Sequence, residues 1–63
     1  MKAEFIAAMG GPEVIVGSNG ATVQELADTL DDLLYHLTRP GSRTYDKKFN
    51  RALFWDRLTD TIE

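Results

Sequence analysis

Residues 1–16 read Met1-Lys2-Ala3-Glu4-Phe5-Ile6-Ala7-Ala8-Met9, then Gly10-Gly11-Pro12, then Glu13-Val14-Ile15-Val16, and the fold class turns on how these pieces pair. Two short apolar runs flank a Gly-Gly-Pro turn signal. Val14, Ile15 and Val16 are β-branched and favour an extended strand, which needs a partner that the first run can supply locally. This reading predicts a β-hairpin over 2–16. The alternative is a short N-terminal helix stopped by Gly10, because Ala3, Ala7 and Ala8 are good helix formers. Either way, Gly17-Ser18-Asn19-Gly20 is a loop.

Downstream, Val23, Leu26, Ala27, Leu30, Leu33, Leu34 and Leu37 recur at steps of three and four, the period of an amphipathic helix. The spacing predicts a helix over 22–38. Thr22 with Glu25 three residues later forms a capping box, and Arg39 followed by Pro40-Gly41 supplies a stop. Glu25, Asp28, Asp32 and His36 form a polar stripe opposite the leucines, at about 100° per residue. Ser42 or Thr44 can cap a second helix over 45–61, and the Pro-Gly link folds it back antiparallel on the first. Its apolar residues Tyr45, Phe49, Ala52 and Leu53 share a face, while Phe54, Trp55, Leu58 and Ile62 spread around the cylinder. One neighbouring helix cannot cover that much apolar surface. The expected fold is therefore α+β, an N-terminal β-hairpin packed on an antiparallel two-helix hairpin in one small domain, 1–63. An all-α small helical bundle is the alternative.

A chain of 63 residues builds a small core, and small domains usually need a disulfide, a metal or a partner to reinforce them. Cysteine is absent and there is one histidine, so association is the expected reinforcement, most simply as a homodimer. Lack of cysteine and of a secretory signal pattern points to the cytoplasm. The apolar runs fall far short of the roughly 20 residues that cross a bilayer, so no membrane partner is expected. Net charge is −3, but it is unevenly spread: residues 1–32 hold six acids and one base, and residues 33–63 hold four acids and six bases.

Chemistry of the chain's own is not expected. Ser18 and Ser42 fall in predicted turns without a neighbouring base, and Asp28, Asp31 and Asp32 lie on a solvated helix face with no cleft above them. Asp32 and His36, four apart, could touch one ion, but two ligands do not make a site and the spacing matches no metal motif. No cofactor, no metal and no catalytic residue is assigned.

Binding is the expected role. Phe54, Trp55, Leu58, Arg51 and Lys48 combine the residue types that anchor protein interfaces, with Trp55 and Phe54 as the central anchor. This makes the chain a small non-enzymatic regulator or inhibitor that occupies a surface on a larger protein. Arg39, Arg43, Lys47, Lys48 and Arg51, interleaved with Tyr45 and Phe49, support an alternative role as a nucleic-acid accessory protein, although an isoelectric point near 4.9 opposes it. The bland reading of the same bases is charge pairing with acids of this chain or of a dimer mate. A structural subunit of an assembly would use the same wide apolar helix. A phage or mobile-element setting suits so small an autonomous protein.

Two partial resemblances stop short of an assignment. Gly10-Gly11-Pro12-Glu13-Val14-Ile15-Val16 through Gly20-Ala21-Thr22-Val23-Gln24-Glu25-Leu26 is similar to the hairpin-to-helix start of ubiquitin-like sulfur carriers, over less than half the chain. Carriers have further strands and a Gly-Gly tail, where this sequence has a helix and Thr61-Ile62-Glu63, so the resemblance brings no attachment point. Thr22-Val23-Gln24-Glu25-Leu26-Ala27-Asp28-Thr29-Leu30 resembles the first helix of helix-turn-helix proteins. The expected turn after Leu30 is replaced by Asp31-Asp32-Leu33-Leu34-Tyr35 in unbroken helical period.

Overall fold

The computed structural model describes residues 1–62 and contains three helices: α1 (Lys2–Ala8), α2 (Val23–Thr38) and α3 (Arg51–Ile62). Among the described residues there is no sheet, and one isolated bridge pairs Ile15 with Thr22. The fold is all-α, so the β-hairpin expected over 2–16 is corrected.

The correction has two physical causes. Lys2, Ala3, Glu4, Ala7 and Ala8 carry high helix propensity, and the Glu4 carboxylate binds the Met1 ammonium at the helix start. Gly10 and Gly11 then end the helix instead of turning a hairpin. Both have positive φ, +101° and +122°, a region that glycine enters without a Cβ clash. Gly11 N–H donates to Ile6 O at 3.0 Å and Gly10 N–H to Ala7 O at 3.1 Å, the paired bonds of a Schellman cap.

The β-branched run does stay extended, but its partner lies on its other side. Val16 N–H donates to Ala21 O, and Val23 N–H donates to Val14 O, each at 2.8 Å. This arrangement completes the start of α2, whose first N–H groups have no partners within the helix. Val14 O takes Val23 N–H, Pro12 O takes Gln24 N–H at 3.1 Å, and the Thr22 hydroxyl takes Glu25 N–H at 3.2 Å. Helix α2 otherwise occupies the expected range, with Thr22 as its cap. Leu33, expected on the apolar face, is instead 52% exposed.

The helix expected over 45–61 begins six residues late. Asp46 Oδ1 accepts Lys48 N–H at 2.9 Å, a side-chain turn that competes with helix formation. The cap is Asn50, whose Oδ1 accepts Leu53 N–H at 2.9 Å, while Ser42 Oγ accepts Thr44 N–H within the preceding loop. Residues 39–50 therefore form a linker long enough to free α3 from folding straight back on α2.

The interior is organised around α1 rather than around a two-helix hairpin. Helix α1 packs against both α3 and α2, which meet each other far less. Phe5 of α1 and Trp55 of α3 have ring centroids 5.4 Å apart, and with Val23, Ala27 and Leu34 they make up the fully buried apolar core. The molecule is 15 Å across in its thinnest direction. That leaves room for about two layers of helices at an interaxial distance of about 8–10 Å. Helix α1 covers one side of α3, and on the opposite side Leu53 is 44% exposed.

Candidate functional site

The two sides of α3 differ in what they touch. Trp55 and Thr59 point inward and are buried, as helical spacing of four requires. Leu53, Phe54, Arg57, Leu58 and Thr61 face outward and line an open groove of about 490 Å³, closed at its N-terminal end by Asp46, Lys48, Phe49 and Asn50. Its floor is apolar. Phe49 and Phe54 lie with ring centroids 6.0 Å apart, and Phe54 sits edge-on to Trp55 at 5.8 Å, which ties the groove floor to the core.

The five interface candidates read from the sequence separate here. Phe54, Leu58 and Lys48 line the groove; Arg51 is half-buried at the first turn of α3. Trp55 is wholly buried, so the expectation that it anchors a partner directly is corrected: its ring supports the fold. Arg57, Leu53 and Asn50 belong to the groove and were not singled out by sequence reading. The signal for Leu53 and Arg57 is their i, i+4 spacing with Thr61, and Asn50 has none in that row.

The bases of the linker and of α3 take part in no ion pair among the described residues. Among the described residues the ion pairs are Met1 ammonium–Glu4, Lys2–Asp28 at 2.6 Å, and His36–Asp32 at 4.0 Å. Among the described residues none of Arg39, Arg43, Lys47, Lys48, Arg51 or Arg57 joins a carboxylate, so the charge pairing read for this cluster is not found within those residues. Arg39 instead lies over the Tyr35 ring, 5.5 Å from its centroid. Tyr45 is 43% exposed in the same linker.

Elsewhere the polar groups serve structure. Lys2 Nζ binds Asp28 Oδ1, which also accepts from Gln24 Nε2 at 3.0 Å. These hydrogen bonds hold the Asp28 carboxyl below its usual range, and the Asp28 partner raises the Lys2 ammonium above its own. Asp32 and His36 stand as an exposed i, i+4 pair, and among the described residues no cluster of three metal-ligating side chains forms. Ser18 lies exposed in its loop.

A second, polar notch of about 420 Å³ is bordered by Glu4, Asp56, Thr59 and Asp60. Thr29, Thr38 and Thr61 each donate to the carbonyl four residues back, at 2.9 Å. Thr59 does not. Its buried hydroxyl and the neighbouring Trp55 Nε1 both lack a hydrogen-bond partner.

Compared with models of protein families, with curated proteins and with solved structures, the chain finds no match. Function is therefore argued from the groove and the basic linker alone. Among the described residues, no helix is long and apolar enough to cross a membrane.

Proposed function

We propose that this chain is a non-enzymatic interaction protein that works docked on a larger protein, as a subunit of an assembly, with the outer groove of α3 as its docking surface. The observation that carries this reading is an open groove floored by Phe49, Phe54 and Leu58, which are partly buried against the core, and by Leu53, which is 44% exposed, beside a core of five buried apolar residues among the described residues. So small a core stabilises a domain weakly, and covering the groove adds the missing burial. A freely acting inhibitor anchored on Trp55 fits less well, because the indole is already enclosed by the chain itself. The reading is tested by placing a photo-crosslinking residue at Leu53 in cells that make the protein. One discrete protein adduct is expected, with none when the residue stands at Ser18 in the far loop. Adducts at Ser18 and not at Leu53 would reject the groove.

A nucleic-acid accessory role is the second reading, favoured by the absence of ion pairs, among the described residues, at Arg39, Arg43, Lys47, Lys48 and Arg51 and by the exposed Tyr45. It requires oligonucleotide affinity that falls log-linearly with salt, with a slope of about 0.7 per phosphate neutralised on a single strand. Affinity indifferent to salt would remove it.

A further inference from the structure

We propose that the α3 groove takes an acidic amphipathic helix of the partner protein; this rests on the docking reading above. The shape of the groove selects a helix. Leu53, Arg57 and Thr61 form one row at intervals of four residues, and Phe54 and Leu58 form the adjacent row. Two such rows are parallel ridges, and the furrow between them receives a ridge of another helix. Helix α3 has 12 residues, about 18 Å at 1.5 Å per residue. That length matches three turns of a ligand helix, whose anchors fall at i, i+3 or i+4, and i+7.

Charge selects the acidic partner. Lys48 and Arg57 stand on the rim, and neither is in an ion pair among the described residues. Among the described residues Asp46 is the one carboxylate that lines the groove, and its Oδ1 is held by Lys48 N–H in its own turn. A ligand with glutamates or aspartates flanking an apolar stripe would bury the floor and neutralise both cations. A second copy of this chain fits worse. A two-fold pairing of grooves closes one basic rim upon another, and the α2 stripe of a second copy offers no apolar row for the floor and carboxylates already engaged, Asp28 by Lys2 and Asp32 by His36. A phosphate backbone would use the two cations and leave the apolar floor bare.

The test uses the full chain and a displayed library of helical peptides of about 15 residues, long enough for three to four turns. An apolar stripe is fixed at helical spacing, and the flanking positions are randomised among Glu, Lys, Gln and Ala. Binders are selected on the wild-type chain and counter-selected on Leu53→Asp, with Leu53→Gln as a milder second variant and circular dichroism to confirm that both fold. The proposal expects Leu53-dependent binders rich in Glu. A representative should lose about tenfold in affinity on Arg57→Glu and regain it when its facing Glu is changed to Lys. Leu53-dependent binders with no preference for Glu would overturn the acidic partner and leave the docking groove standing. Two results would overturn both readings: no Leu53-dependent binder, or a stable dimer by light scattering that Leu53→Asp dissolves. An oligonucleotide whose binding needs Arg57 but is indifferent to Leu53→Asp would do the same if no peptide competes with it.

Discussion

Trp55 and Leu53 lie two positions apart on α3 and have opposite surroundings: the indole is wholly enclosed, whereas Leu53 is 44% exposed. A two-residue step turns a helix by about 200°, so neighbours in sequence become residues of opposite faces. The inward face is matched to Phe5 of α1. The outward face has the same apolar chemistry, but no helix lies over Leu53 and the partly buried Phe54 and Leu58 border an open groove. Hydrophobicity alone therefore does not say whether a residue holds the fold or offers a surface; the extent of the covering element does. Helix α1 has seven residues, enough to cover one side of α3 and no more.

The widest separation between the two faces should appear on Trp55→Ala. Removing a buried indole costs about 3–5 kcal/mol, comparable with the whole stability of a core this small, about 3–5 kcal/mol. The variant is expected to lose its cooperative thermal transition in circular dichroism. A folded Trp55→Ala would break the distinction between the faces.

Thr59→Val probes the same inward face with the opposite sign. The Thr59 hydroxyl is buried without a partner, and valine keeps the shape while removing the unsatisfied group. The urea midpoint should rise, by about 1 kcal/mol in unfolding free energy. A loss of similar size would mean that the hydroxyl is paired in solution. On the outward face, Leu53→Asp should change stability by no more than about 0.5 kcal/mol, while eliminating groove-dependent binding. A large destabilisation would move Leu53 into the core and end the comparison.

The smallest effect belongs to the exposed Lys2–Asp28 pair that links α1 to α2. Asp28 is shifted down by its hydrogen bonds with Lys2 and Gln24. Its contribution is therefore present above the ordinary aspartate value, about pH 3.9, and is lost as pH falls through the lowered folded value. Lys2 is shifted up, mainly by its hydrogen bond to Asp28. Its contribution is present below the ordinary lysine value, about pH 10.4, and is lost as pH rises through the raised folded value. Melting curves of wild type and Asp28→Asn should differ slightly at about pH 7 and converge toward about pH 2. A constant gap would assign the difference to something other than the charge pair.

The legibility of these elements in the sequence follows their physics. Helix α2 is readable because period, cap and stop agree: leucines at three and four, Thr22 before, Pro40-Gly41 after. Helix α1 is not, because the β-branched Val14–Val16 run invites a partner upstream, while the backbone finds one downstream at Ala21–Val23. The Gly10-Gly11 pair serves a hairpin and a Schellman cap equally well on paper. The late start of α3 turns on single hydrogen bonds accepted by the Asp46 and Asn50 side chains, which propensity does not weigh. For the docking surface, Phe54, Leu58 and Lys48 were visible as candidates from residue type, but Trp55 could be assigned inward only once α1 existed to receive it. That the linker bases join no carboxylate among the described residues is likewise invisible, since opposite charges in one sequence say nothing of distance.

The enclosure of Trp55 also gives the protein a built-in optical reporter. It is the sole tryptophan, sealed from solvent with its indole N–H unbonded, so the excited state has few dipoles near it that can relax. Emission from the folded chain should lie toward the blue and move to the red as α1 lifts from α3. Because the Phe54 ring stands edge-on to the indole on the groove side, occupation of the outer face should shift the same emission, with no label attached.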